Sequence, residues 1–171
     1  VTDDRVGAAD AAAPTRIRIP IHLRWGDLDA LGHVNNTSML KLLEEARLRA
    51  FWRPEPGVAA PPTAILDALD LRAETMTLIA RQEIEYVRPV PYGQRPLDVQ
   101  LWIGRMGGSS IDVCYEVFSP QGDDPQIRYA RSTAVIVMVS TETGRPVRLT
   151  DGMREAWSPY LDQPIDYSRR S

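Results

Sequence analysis

Between Trp25 and Asn36 the chain reads Trp-Gly-Asp-Leu-Asp-Ala-Leu-Gly-His-Val-Asn-Asn. This short stretch holds two carboxylates (Asp27 and Asp29), one of the two histidines (His33) and two asparagines suited to helix capping (Asn35 and Asn36). A carboxylate just ahead of a helix can attack a carbonyl carbon or take a proton from water. The first N–H groups of that helix lack intrahelical acceptors and carry the positive end of its dipole. They are therefore suited to hold an oxyanion formed in acyl transfer. A thioester fits so sparse a site, because a leaving thiol with a pKa of about 8.5 departs with little help from an acid. The same residue types also make ordinary turns and helix caps. Taken alone, the residues leave structure and catalysis both open.

Other chemistries lack their residues. There is no Gly-x-Ser-x-Gly elbow and no plausible Cys–His pair, so a serine or cysteine hydrolase is unsupported. The spacing of Asp27, Asp29 and His33 matches no metal motif, and no cofactor is implied. A net charge of −3 without a basic tract argues against nucleic acid as a partner. No apolar run approaches the roughly 20 residues that span a bilayer, so no membrane role is expected. Cys114 is the single cysteine, which points to a reducing cytoplasm. Its alternating apolar surroundings suggest a small buried residue rather than a nucleophile.

The elements around the loop follow from periodicity. Ile17, Ile19, Ile21 and Leu23 alternate as in a strand, and Pro20 places that strand at an edge or bulge. Met39, Leu40, Leu43, Ala46, Arg47, Ala50 and Phe51 mark one face of a helix over 37–53, stopped by Pro54 and Pro56. Its cap falls among Asn35, Asn36, Thr37 and Ser38. A short helical turn is expected over 64–71. Strand alternation then covers 77–87, 97–103, 111–118 and 127–139, with a Gly107-Gly108 hairpin and an apolar end from Ala134 to Val139 expected to be buried on both faces. A short helix over 151–157, with Asp151 as its N-cap, closes the chain. A tail over 1–15, one domain over 16–160 and a C-terminal tail over 161–171 complete the predicted organisation.

One helix among antiparallel strands predicts an α+β fold. A single helix cannot cover both faces of a five-stranded sheet. Either the sheet curls around the helix, or a second subunit covers the remainder.

The run Arg24 to Asn36, the helical Leu43-Glu-Glu-Ala-Arg47, the segment Glu85-Tyr-Val-Arg-Pro-Val-Pro-Tyr-Gly93, the Gly108-Ser-Ser hairpin exit and the turn Thr143-Gly-Arg-Pro146 together resemble the hot-dog-fold acyl-CoA thioesterases of the 4-hydroxybenzoyl-CoA thioesterase type. The resemblance covers about residues 17–150. It implies a hot-dog fold, a curled antiparallel sheet of about five strands wrapped around one central helix. It also implies hydrolysis of an acyl-CoA to the acid and coenzyme A, with self-association as a dimer or tetramer. The family's catalytic carboxylate falls on Asp29 and its oxyanion donor on the backbone N–H of Asn36. Related plant acyl-carrier-protein thioesterases carry an Asp-x-Asn-x-His pattern, which Asp29 and His33 match and Leu31 breaks. His33 is therefore expected to position water or the carbonyl. Another branch uses a helical glutamate, near which Glu44 falls as a second choice. Asn35 and Arg105 are the expected substrate contacts, Arg105 towards coenzyme A phosphates.

Two rivals accompany this expectation. An enoyl-CoA hydratase on the same fold has Asn-Pro between its Asp and His, where this chain has Ala-Leu-Gly. A non-catalytic acyl-CoA-binding or regulatory protein would bind acyl-CoA without turnover.

Overall fold

The computed structural model describes residues 15–67 and 74–167. The predicted N-terminal tail lies almost wholly outside those residues. Strand β1 (Ile17–Ile21) leads through the Trp25–Asn36 loop into helix α1 (Asn36–Phe51). Strands β2 (Thr75–Tyr86), β3 (Leu97–Met106), β4 (Ser110–Phe118) and β5 (Arg128–Ser140) follow, and helix α2 (Asp151–Trp157) comes last. All strand pairs are antiparallel, in the order β1-β3-β4-β5-β2. This is the hot-dog architecture, a curled sheet holding one long helix. Pro20 sits on edge strand β1, where its missing N–H does least harm.

Helix α1 packs chiefly on β1 and β3 through Met39, Leu42, Leu43, Ala46, Ala50 and Phe51, all buried. Trp157 of α2 closes one end of this core, edge-on to Phe51, and its indole N–H donates to the Thr63 carbonyl at 3.0 Å. The cap of α1 is Asn35, and the α2 cap is Thr150 rather than Asp151. Thr150 wins because its hydroxyl reaches the Met153 N–H at 3.1 Å, leaving Asp151 as the first helical residue. The turn expected over 64–71 lies partly outside the described residues. Up to Asp67 no helix forms, and Leu66 instead bridges Trp52. At the end of β5, Ala134, Ile136 and Met138 are fully buried on the helix side, whereas Val135 and Val137 are only half-buried on the other face.

That outer face has its own cover. From Leu161 the chain runs across β3 and β4 towards β5: Asp162 N–H donates to Ile103 O, Trp102 Nε1 to Gln163 O, and the Tyr167 hydroxyl to Thr133 Oγ1. Residues 161–167, set apart as a tail on sequence grounds, thus lie bonded to the sheet. Gly104 permits the approach, since a Cβ there would stand 2.7 Å from Cys114 Sγ and 3.1 Å from the Pro164 backbone. On β2 this segment reaches Glu83, whose carbonyl accepts from the Tyr167 hydroxyl at 3.4 Å. Met76, Leu78, Ile79 and Tyr86 remain exposed along this edge. No helix among the described residues is long and apolar enough to cross a membrane.

Candidate active site

Asp27 ties the loop together. Its carboxylate is buried and accepts from Arg24 N–H at 2.7 Å and from the Arg24 guanidinium at 3.0 Å, while its carbonyl accepts from Asn35 N–H at 2.9 Å. Burial alone would raise its pKa. The hydrogen bonds and charge of Arg24, with Lys41 adding attraction, outweigh burial and hold it below the ordinary 3.8. A carboxylate so fully engaged serves the loop.

Asp29 occupies a small hairpin inside that closure. Its N–H donates to His33 O at 2.8 Å, and Gly32, with φ of 76°, makes the reversal. One carboxylate oxygen, Oδ1, accepts from the N–H groups of Leu31 at 2.8 Å and His33 at 3.2 Å. The other, Oδ2, has no protein donor among the described residues. His33 is half-buried, its backbone bridged to Pro91, and its ring makes no hydrogen bond among the described residues. Val34 N–H donates to Val90 O at 3.0 Å, so the loop is fixed to the segment after β2.

Asn35 caps α1. Its Oδ1 accepts from Thr37 N–H at 2.8 Å and Thr37 Oγ1 at 2.6 Å, which commits that oxygen to the helix. Asn36 is the first helical residue, and its N–H finds no acceptor among the described residues. The Tyr86 hydroxyl donates to the Asn36 carbonyl at 3.2 Å. Asp29 and His33 thus lie inside the loop closed by the Asp27–Asn35 hydrogen bond, and Asn36 follows that closure directly as the helix starts. Arg105 is elsewhere. It is exposed near the far end of β3, roughly 26 Å along the strand from Leu97. Glu44 lies two turns into α1, largely exposed, 3.4 Å from Arg47.

Sequence periodicity missed the part played by the residues after β2. Tyr86, Val87, Arg88, Pro89 and Val90 line a cavity of about 250 Å³ with Val34 and Met39, which flank Asn36 in sequence. The Tyr-Val-Arg-Pro-Val-Pro signature reads locally as a strand end and turn, and nothing in it shows which loop it will meet. A larger cleft of about 460 Å³, lined by Leu23, Tyr92, Arg95 and Tyr129 among others, includes no residue of α1 or of Asp27–Asn36, and its Arg95 is paired with Asp123 at 2.8 Å. The smaller cavity is lined by residues on either side of Asn36, Val34 and Met39.

The model of the thioesterase-like superfamily matches residues 23–157, from just after β1 to the end of α2. The chain belongs to that superfamily. Members are thioester hydrolases in their general chemistry. Among curated proteins, the uncharacterized protein YsmA of Bacillus subtilis (strain 168) is 27% identical over 136 residues, 79% of this chain and 80% of that protein. A thioesterase predicted in Bacillus stearothermophilus has a structure similar at a TM-score of 0.67 with 25% identity, covering 88% of this chain and all (100%) of that one. A Thermus thermophilus thioesterase, solved with coenzyme A and zinc, matches at a TM-score of 0.62 with 30% identity over 86% of this chain and 96% of that one.

Proposed function

We propose that this superfamily member hydrolyses acyl-CoA thioesters to a free acid and coenzyme A. The observation that carries the proposal is the unpaired Asn36 N–H at the start of a 16-residue helix, on the same closed loop as a carboxylate with one oxygen undonated. Asn36 N–H receives the carbonyl oxygen and its charge as the tetrahedral intermediate forms. Asp29 Oδ2 either removes a proton from the attacking water or attacks the thioester carbon itself. The C–S bond then breaks, and the thiolate leaves as coenzyme A with little need for an acid. Where Asp29 is the attacking group, water afterwards hydrolyses the resulting acyl–Asp29 anhydride to the free acid and restores the carboxylate. His33, beside Asp29, positions water or the carbonyl. The coenzyme A bound to the Thermus thermophilus relative supports this choice of carrier. A cytoplasmic setting accords with the single buried cysteine.

The same reading calls for a second copy of the chain. The 12-residue edge strand β2 presents unpaired backbone and exposed apolar side chains. Antiparallel pairing of two such edges sets the start of one β2 beside the end of the other. That start lies at the same end of the sheet as the β3–β4 hairpin, one strand away across β5, so the partner's hairpin arrives towards the end carrying Tyr86 and Asn36. Arg105, remote within its own chain, then becomes available for coenzyme A phosphates, with the free Asn35 amide as a nearer contact. Further pairing of dimers gives tetramers.

The test is Asp29→Asn, assayed by thiol release over an acyl-CoA panel. The amide keeps an oxygen for the Leu31 and His33 N–H groups, so the loop survives while the reactive oxygen is lost. A fall in kcat of about 10²–10⁴ is expected. Undiminished turnover would remove Asp29 from the mechanism, and tight acyl-CoA binding by the wild type without turnover would favour a binding protein.

A further inference from the structure

The cavity of about 250 Å³ touches the residues flanking the proposed oxyanion donor. Val34 and Met39 bracket Asn36 in sequence and line this cavity, and Tyr86, which also lines it, bonds the Asn36 carbonyl at 3.2 Å. Its depth can be read from burial. Met39 (2% exposed) and Val90 (4%) form the floor, whereas Tyr86, Val87, Arg88 and Pro89 are exposed and form an open rim that carries one cation. Floor and walls are mainly aliphatic, as a hydrocarbon group requires. At about 250 Å³ the space falls below the 300–1,000 Å³ of pockets that enclose drug-sized ligands.

Resting on the hydrolase reading above, we infer that this cavity receives the acyl group, that it selects compact acyl groups over long fatty chains, and that Met39 sets the limit. A carbonyl held at Asn36 N–H directs its acyl substituent past Val34 onto Met39, which stands one turn further along α1. Met39 is unbranched and sits in the core cluster, so it closes the floor without a fixed shape, and a smaller side chain there deepens the pocket. Each methylene accepted or rejected by such a pocket changes kcat/KM by about tenfold or more.

The experiment measures kcat/KM for butyryl-, benzoyl-, octanoyl- and palmitoyl-CoA with wild type, Met39→Ala and Val87→Phe. The second variant alters an exposed rim position, so it folds even if the core substitution does not. Wild type is expected to favour butyryl- and benzoyl-CoA over palmitoyl-CoA. Met39→Ala is expected to raise the octanoyl-to-butyryl ratio by about tenfold or more, and Val87→Phe to lower it. A wild-type preference for palmitoyl-CoA, or an unchanged ratio in folded variants, overturns the inference. If wild type hydrolyses none of the four, the hydrolase reading fails instead. The same ratios are then taken from dissociation constants of the matching non-hydrolysable S-alkyl coenzyme A thioethers, where an unchanged ratio again overturns the assignment of the cavity.

Discussion

Asp27 takes its hydrogen bonds from Arg24 in a buried position, whereas Asp29, two residues on, leaves one oxygen without a donor. Each carboxylate makes a separate prediction. The folded pKa of Asp27 is lowered despite the opposing pull of burial, so the residue stabilises the fold above its unfolded value of 3.8. That contribution disappears as pH falls through the lower folded value. Asp27→Asn is therefore expected to destabilise the protein at neutral pH and to flatten the decline of stability below about pH 4. Urea midpoints between neutral and acid pH measure both. For the oxyanion donor, the decisive change is Asn36→Pro. Position N1 of a helix tolerates proline, and Asn35, at φ −62° and ψ 144°, already has the extended backbone that a residue before proline needs. The substitution deletes the N–H and little else. A loss of about 10²–10³ in kcat with a nearly unchanged melting temperature is expected, and retained activity would place the oxyanion elsewhere.

Helix α1 does two jobs, one at its N-terminus and one along its buried face. The buried face carries an exception to its apolar pattern. Arg47 is 5% exposed, hydrogen-bonds Tyr115 at 3.3 Å and Glu44 at 3.4 Å, and leaves Nε without a partner among the described residues. Burial raises the Tyr115 pKa, so this phenol stays neutral beside the guanidinium. Two long hydrogen bonds repay little of the cost of burying a cation. Arg47→Met, similar in length and apolar, is expected to leave stability unchanged or raise it by about 1–4 kcal/mol. Chemical denaturation measures this, and a marked loss would show that the arginine's bonds outweigh its desolvation.

At the scale of the whole molecule, the sheet has three differently treated boundaries. Its inner face carries α1, its outer face carries residues 161–167, and its β2 edge pairs with no further strand among the described residues. Leu78, exposed in the isolated chain, is the place to test edge pairing. A charge on an edge strand opposes the approach of another edge. Leu78→Lys is expected to convert a dimer to a monomer in sedimentation equilibrium, and to reduce hydrolysis if the partner's Arg105 serves the site. Sedimentation as a monomer by the wild type would contradict the pairing.

Much of this protein was written locally. Alternation of Ile17, Ile19 and Ile21 specified a strand that Pro20 put at an edge or bulge. The spacing from Met39 to Phe51 specified α1, and the run from Asn35 to Ser38 placed the helix start within four residues. These are short-range effects of backbone geometry and side-chain periodicity, visible without knowing the partner surfaces. The Trp25–Asn36 motif likewise identified the loop from residue type and spacing. Tertiary structure decided what no local pattern contains. It brought Tyr86 and Val90 to a helix start some fifty residues earlier in the chain. It also turned the stretch after Leu161 into a cover for the outer face, and it kept Arg105 away from the loop within one chain. Those outcomes depend on long-range packing and strand order, and their energies exist only once distant segments share a surface.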